Sequence, residues 1–216
     1  WALSDDDDET NKWVFPNITL NANEYLVVFT SGKNRVPTNG DNLHTNFNLD
    51  ASGEFLALSN ATNIPQPSST FAPEYPRQLK NISYGRQPGV AGWRYFDTPT
   101  PGGPNEGGSI FESFVADTEF SADRGFYYAP FSVELSSDTE GATIRYTLDG
   151  TEPNTGYGTI YTGPIQIDTT SYVRTIAYKA GWLPTNVDTQ TYIFVNDVIN
   201  QLPNNDPPGP GWPNSG

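Results

Sequence analysis

The chain has 216 residues, of which 13% are aromatic and only 17% are charged, and it contains 19 Pro and 20 Gly residues. Because Pro and Gly disfavour helix interiors, this composition favours an all-β protein with one large or two small domains. The net charge of −14 argues against a nucleic-acid partner, and the absence of Cys excludes disulfides and thiolate chemistry.

The first hundred residues contain an acidic run and short β-type patterns. Five consecutive acidic residues occupy positions 5–9. The run EYLVVFT at 24–30 is rich in β-branched and aromatic residues and predicts a buried strand. The stretch NFNLDASGEFLAL at 46–58 predicts a hairpin with alternating Phe47 and Leu49, a Ser-Gly turn at 52–53 and a return strand at 55–58.

Residues 63–110 are irregular. Within them, NISYGR and WRYF predict short edge strands. The stretch TPTPGGPNEGG at 98–108 concentrates Pro and Gly as linkers do, so we place a domain boundary there.

The second half shows clean alternation of apolar and polar residues. PFSVELS at 130–136 predicts a strand with Phe131, Val133 and Leu135 on one face. ATIRYTLDG predicts another, with its apolar residues at 144, 146 and 148. GPIQID, SYVRTIAYKAG and TQTYIFV continue the pattern at intervals of about ten residues, which is typical of a small β-sandwich. NDVINQL predicts one helical turn, and PNNDPPGPGWPNSG predicts an extended tail close to polyproline II.

The first segment contains a distinctive set of strings: WALSDD, KWVFPNITL, EYLVVFTSGKNR, LHTNFNLDASGEFLAL, FAPEYPRQLKNISYGR and YFDTPTPGGPN. As a set, over about residues 1–105, they closely resemble the lamin tail domain in its bacterial, exported form. The resemblance implies an immunoglobulin-like sandwich used for scaffolding and contact, with no catalytic residues to carry over. In that family the Trp of the W-LSDD stretch follows the opening strands. The resemblance therefore implies that the chain starts inside the module, and that a partner or another segment supplies the missing strands.

The second segment contains FSADRGFYYAPFSVELSS, GATIRYTLDGTEPN, YTGPIQI and IAYKAGWLPTNVDTQTYIF. Over about residues 115–196 these strings resemble the immunoglobulin-like module at the C-termini of bacterial chitobiase and hexosaminidase-type enzymes. The resemblance implies an accessory domain, and its presence in sugar-processing enzymes does not make this chain an enzyme.

These patterns predict an all-β chain with two immunoglobulin-like β-sandwich domains in tandem and an extended, Pro/Gly-rich C-terminal tail. We assign residues 1–105 to an N-terminally incomplete lamin-tail-like sandwich and residues 106–114 to a linker. Residues 115–196 form the chitobiase C-terminal-like sandwich, and residues 197–216 form the tail. Because the chain lacks Met and begins at Trp1, we expect it to be a mature or partial chain.

The string YTLDGTEP at 146–153 has two interpretations, a structural turn or a catalytic pair of carboxylates. Asp149 and Gly150 predict a two-residue type I′ hairpin turn, because both residues tolerate positive φ. A glycosidase would instead pair Asp149 with Glu152, but two exposed carboxylates have nothing to separate their pKa values. We favour the structural turn and predict no catalytic site.

The acidic run is the best metal candidate. Calcium takes six to eight oxygen ligands, which closely spaced carboxylates can supply. The run lacks the spacing of an EF-hand loop, and charge runs are usually solvated, so calcium and a solvated face stay open as alternatives. The residues concerned are Asp5, Asp6, Asp7, Asp8 and Glu9.

The single histidine, His44, has no Cys and no Ser-containing nucleophile elbow to work with, so we expect it to have a packing role. Among the aromatics, Tyr157, Tyr161 and Trp182 are candidates for stacking on sugar rings, with core packing as the alternative. A further set is predicted to bind partner chains, with the tail Trp as the main anchor: Trp1, Pro207, Pro208, Pro210 and Trp212.

The leading functional hypothesis is a non-catalytic, extracellular or cell-surface structural protein. It would be a subunit of a fibre, surface layer or larger assembly, held to identical or related chains by strand completion and tail docking. The alternative is an accessory carbohydrate-binding or adhesion module of a large secreted protein, with a cell-surface polysaccharide as partner. No nucleic acid is expected, and no apolar run approaches the roughly 20 residues that span a bilayer.

Overall fold

The computed structural model describes residues 1–37, 42–60 and 66–199. These residues form twenty short β-strands and one five-residue helix, distributed over two compact units, Trp1–Glu112 and Ser113–Gly216. The predicted fold class, all-β and immunoglobulin-like, is confirmed. Among the described residues, no helix combines the length and the apolar character that a membrane crossing requires.

The strands of the first unit are β1 (Ala2–Ser4), β2 (Trp13–Val14), β3 (Val28–Phe29), β4 (Leu43–His44), β5 (Leu56–Asn60), β6 (Gln66–Phe71), β7 (Ser83–Gly85), β8 (Arg94–Phe96) and β9 (Ile110–Phe111). They form a four-stranded antiparallel sheet in the order β2-β1-β5-β6, a parallel pair β3-β4 and a three-stranded sheet β7-β8-β9. WRYF contributes the central strand β8, so the predicted edge position is wrong. Its Tyr95 and Phe96 are buried because strands flank it on both sides.

The core of the first unit is small and aromatic. Trp13, Leu43 and Phe47 are buried together. Trp13 packs edge-on against Phe15, with ring centroids 5.0 Å apart. Edge-to-face contacts of this kind add about 0.5–1.5 kcal/mol to the gain from burial alone.

Two sequence predictions for the first unit are wrong. EYLVVFT does not form a long buried strand: only Val28–Phe29 is paired, and Tyr25 and Leu26 are exposed. The predicted hairpin at 46–58 fails in its first arm, because β5 pairs with β1 and β6 rather than with residues 46–49. Alternation at 46–49 instead places Phe47 in the core, while a turn at 50–53 leads into β5.

The second unit contains β10 (Ser113–Phe114), β11 (Glu119–Phe120), β12 (Gly125–Tyr127), β13 (Phe131–Val133), β14 (Leu135–Ser136), β15 (Thr143–Thr147), β16 (Thr159–Ile160), β17 (Ile165–Ile167), β18 (Ser171–Tyr178), β19 (Trp182–Leu183), β20 (Asp188–Phe194) and α1 (Val195–Ile199). Its main sheet has the order β12-β20-β18-β15-β16, and three two-stranded pairs, β10-β19, β11-β14 and β13-β17, accompany it.

The core of the second unit lies on one face of the main sheet. Val173 and Ala177 of β18 and Tyr192 of β20 are fully buried, and they pack with Val133 and Ile167 from the β13-β17 pair. Alternation along each strand sends these side chains to the same side. Each fully buried aliphatic side chain contributes roughly 1.5–3 kcal/mol of hydrophobic stabilisation.

Two further predictions require correction. The single strand expected at 130–136 is divided at Glu134, because β13 pairs with β17 whereas β14 pairs with β11. Val133 and Leu135 are nevertheless buried, as the alternation predicted. Leu148, expected on the inner face, is exposed because β15 ends at Thr147.

The predicted helical turn is confirmed as α1, so residues 197–199 belong to a helix rather than to the predicted tail. The rest of that tail, residues 200–216, lies outside the described residues.

Candidate functional site

The segment from 148 to 158 connects β15 to β16 as a long loop, so the predicted two-residue type I′ hairpin turn is wrong. Arg145 pairs with Ile160 and Tyr146 with Thr159, which leaves the whole loop between the strands. Gly150 has φ of +82°, as a turn glycine should, but Asp149 is not among the residues with positive φ. The Asp149 carboxylate instead accepts hydrogen bonds from the backbone N–H and the hydroxyl of Thr151, which forms an Asx turn.

The same loop provides no glycosidase pair. The hydrogen bonds from Thr151, first from its side chain and then from its backbone, lower the pKa of Asp149. Glu152 lies 3.2 Å from the Arg174 guanidinium, which also donates to the carbonyl of Gly150. A lowered pKa does not suit Asp149 to act as a general acid, and the contacts of both carboxylates hold the loop.

The acidic run, residues 5–9, lies in a loop whose groups form an ion pair and hydrogen bonds with neighbouring residues. Asp5 forms an ion pair with Lys12 at 2.7 Å, and this hydrogen bond is the main cause of the raised pKa of Lys12. The Ser4 hydroxyl donates to the Asp6 and Glu9 carbonyls. These bonds hold the backbone of the loop.

Three carboxylates of this run, those of Asp6, Asp7 and Asp8, have oxygens within 4.8 Å of one another. Asp8 also donates its backbone N–H to the Asp6 carboxylate. Exposed acidic groups often lie this close without a metal, so calcium at residues 5–9 stays a prediction.

His44 is held by packing and by a serine. Its Nδ1 lies 2.8 Å from the Ser31 hydroxyl, its ring stacks on Phe29, and its backbone pairs with Arg35. A Ser–His hydrogen bond is the first contact of a nucleophile–base pair. A triad also needs an acidic residue to orient the imidazole, and the contacts found for His44 in the described part of the chain include no carboxylate.

The first exposed surface is what we call the apolar segment, residues 14–29. Six apolar side chains in this segment are exposed: Val14, Ile18, Leu20, Tyr25, Leu26 and Phe29. No described strand pairs with residues 15–27, although their second half has strong β-type sequence. Residues 15–27 therefore combine exposed apolar side chains with a backbone that lies outside the described strands, although the N–H groups of Phe15, Ile18 and Glu24 have backbone acceptors.

The second exposed surface is the edge of the main sheet in the second unit. Strand β12 lies at the end of the strand order and pairs only with β20 among the described strands. Phe126 is 71% exposed and Tyr128 is 74% exposed, whereas Tyr127 between them packs inward against Phe131. Our sequence analysis did not identify this pair. Alternation within GFYYAP could have indicated it, because an inward position for Tyr127 places Phe126 and Tyr128 outward.

The aromatics selected from the sequence have varied positions. Trp1 is 59% exposed and Tyr157 is exposed. Tyr161 and Trp182 are partly buried and pack against the core of the second unit, which favours the core-packing alternative for both. The predicted partner-binding residues of the tail lie outside the described residues: Pro207, Pro208, Pro210 and Trp212.

Residues 122–189 match the family model of the chitobiase/beta-hexosaminidase C-terminal domain. The second unit is thus similar to that domain over these residues, and its all-β, immunoglobulin-like fold agrees with the match. The resemblance predicted for this unit is thereby confirmed. In chitobiases and beta-hexosaminidases, the domain of that family is the non-catalytic C-terminal module. The resemblance of residues 1–105 to the lamin tail domain stays a prediction. No curated protein and no solved structure matches the chain significantly.

Proposed function

We propose that the chain is a non-catalytic, extracellular or cell-surface structural protein that assembles with identical chains, as a subunit of a fibre, surface layer or larger assembly. The observation that supports this most directly is the apolar segment, residues 14–29, with its six exposed apolar side chains. Exposed apolar side chains that are concentrated in one short stretch of sequence indicate a contact site.

The partner's contact is strand addition. Residues 24–27, with the sequence EYLV, favour extended structure but have no partner strand among the described residues. An added strand would satisfy the backbone N–H and C=O groups of this stretch and cover Leu26 and its neighbours. Each square ångström of apolar surface removed from water contributes about 25 cal/mol.

Net charge limits where identical chains can meet. Chains of net charge −14 repel one another, so contact is favoured where charged side chains are sparse. Between Ile18 and Phe29 the sequence contains one charged residue, Glu24, whose carboxylate is engaged by Asn21. The tail residues around Trp212 are proposed as a second anchor in the same assembly.

We expect the full chain to associate in a concentration-dependent way in sedimentation velocity. The double variant Leu20→Ser and Leu26→Ser should weaken association by at least about tenfold, because it removes apolar surface that the contact would bury. Both side chains are solvent-exposed in the isolated chain, so the variant should still fold. Ile160→Ser, also at an exposed position but in the second unit, is the matched control and should associate like the unmodified chain. A compact monomer at every concentration would contradict assembly.

A second candidate function is an accessory carbohydrate-binding or adhesion module with a cell-surface polysaccharide as partner. The match of residues 122–189 to a chitobiase/beta-hexosaminidase C-terminal domain favours it, together with the exposed aromatic pair formed by Phe126 of β12 and Tyr128 just after it. Retardation of the chain in gels that contain soluble polysaccharide tests it directly.

A further inference from the structure

We propose that the β12 edge is a binding platform for an extended, neutral glycan chain, in which the rings of Phe126 and Tyr128 stack on sugar rings. This proposal rests on the second candidate function and names its site. Neither residue belongs to the set of aromatics that the sequence pattern selected for sugar stacking.

The end of β12 presents the two rings together. Phe126 lies within β12, and Tyr128 directly follows its last residue, Tyr127, at a bend. Both side chains are more than 70% exposed, so neither is used by the core of the second unit. An aromatic ring offers a flat, apolar face to the C–H groups of a sugar, and here two such faces lie close together in sequence at one strand end.

The strand that carries the rings is held firmly. Tyr127 lies between them and points inward, where its ring stacks on Phe131 with centroids 4.1 Å apart. Its hydroxyl donates to the Asp123 carbonyl, and its ring meets Tyr192 edge-on. A support of this kind lowers the entropy cost of binding, because the ligand does not need to order the backbone that carries Phe126 and Tyr128.

The main sheet continues the platform with polar groups. Phe126 pairs with Ile193 of β20, and Thr191 lies on the same outward side of β20 with an exposed hydroxyl. Tyr172 of β18 lies opposite Thr191 and is also exposed. Aromatic faces beside a hydroxyl and a phenol match a ligand that has C–H faces and hydroxyl edges.

The same edge is poorly suited to a protein strand. β12 is three residues long, and Pro130, which lacks an N–H, follows two residues after Tyr128. On the other side, the Arg124 N–H already donates to the side chain of Gln190. Short edges ended by Pro discourage strand addition, so side chains rather than backbone carry the binding here.

Charge favours a neutral glycan over an anionic one. The chain has 25 acidic and 11 basic residues, and Asp123 lies two residues before β12. The net negative charge of the chain would repel a carboxylated or sulfated polysaccharide, whereas it would neither attract nor repel a neutral one.

The test is affinity gel electrophoresis of the full chain in gels that contain hydroxyethyl cellulose or glycol chitin as neutral polymers, or alginate as an anionic polymer. We expect at least one neutral polymer to retard the chain and alginate to have no effect. Phe126→Ala and Tyr128→Ala should each lower the affinity by about three- to tenfold, as expected when one ring contact is removed. Ile160→Ser, at an exposed apolar position on β16 at the opposite end of the main sheet's strand order, is the control and should bind like the unmodified chain.

Each other outcome has a defined meaning. Retardation that survives in both β12 variants would overturn the platform but leave the carbohydrate-binding function standing. The absence of retardation by any neutral polymer would overturn both. If the β12 variants instead lose self-association in sedimentation, the surface binds protein and the glycan proposal is wrong. Both exposed side chains can be truncated without a cavity in the core, so the variants should fold, and circular dichroism checks this.

Discussion

The conformation of the 148–158 loop depends on the backbone of Gly150. Its φ is +82°, and a Cβ at this position would lie 2.8 Å from the Tyr172 ring. Gly150→Ala therefore meets both backbone strain and a steric clash, and we expect it to lower the free energy of unfolding by about 1–3 kcal/mol. Denaturant unfolding measures this difference.

Gly141→Ala is the matched control. Gly141 has φ of +74°, but a Cβ there would meet nothing within 4 Å. It should cost only the backbone strain, about 1–2 kcal/mol. Equal losses in the two variants would show that Tyr172 does not press on the loop at Gly150.

Buried tyrosines make stability sensitive to alkali. Burial, followed by the nearby Tyr127 and Asp123, raises the pKa of Tyr192 to about 12. Burial also raises the pKa of Tyr75 and of Tyr95 to about 12. The pKa in the unfolded chain is about 10, so the folded state holds these protons more tightly.

The contribution of these three tyrosines to the free energy of unfolding should therefore be constant below about pH 10 and should fall between about pH 10 and pH 12. Denaturant unfolding at several pH values, combined with tyrosinate absorbance, checks this. Tyr192→Phe should show a shallower fall, because one of the three protons is removed. A free energy that rises over this range would contradict the burial of these hydroxyls.

At the scale of elements, the β17 strand tests the core of the second unit. Ile167 is 1% exposed and packs in the main hydrophobic cluster, whereas Ile160 on β16 is 48% exposed. Ile167→Ala should cost about 2–5 kcal/mol through lost burial and the remaining cavity. Ile160→Ala should change the free energy of unfolding by less than about 0.5 kcal/mol. Similar losses at both sites would contradict the burial of Ile167 and the exposure of Ile160.

Sequence reasoning succeeded for elements with strong alternation. β18 and β20 match the predicted strands SYVRTIAYKAG and TQTYIFV, because alternate residues of each face a common core. It failed where the pairing of strands decides the outcome. EYLVVFT has the residues of a buried strand, yet pairing limits it to Val28–Phe29, and Glu134 separates two strands that share one alternating pattern.

The candidate site could be predicted only in part, for a related reason. The Asp149-Gly150 pair correctly indicated a turn, but the turn type depends on β16, which starts at Thr159. Alternation within GFYYAP separates Phe126 and Tyr128 from Tyr127, but which of these residues faces the core depends on how β12 pairs in its sheet, and sheet order is not encoded in a local pattern.

At the scale of the whole molecule, each unit carries a surface that its own described residues leave open. The first unit exposes the apolar segment, and the second exposes an aromatic pair on a sheet edge. The carboxylates examined as a catalytic pair are instead engaged in loop-holding contacts. This pattern supports a protein that acts by contact, through chain assembly and through binding of a neutral glycan.

Amide hydrogen exchange at residues 24–29 tests the central claim of assembly by strand completion most directly. If an identical chain adds a strand here, the amides of Tyr25, Leu26 and Val27 should become more protected as protein concentration rises. The Leu20→Ser and Leu26→Ser double variant should lose this protection. Equally fast exchange of these amides in dilute and concentrated samples of the unmodified chain would contradict strand completion.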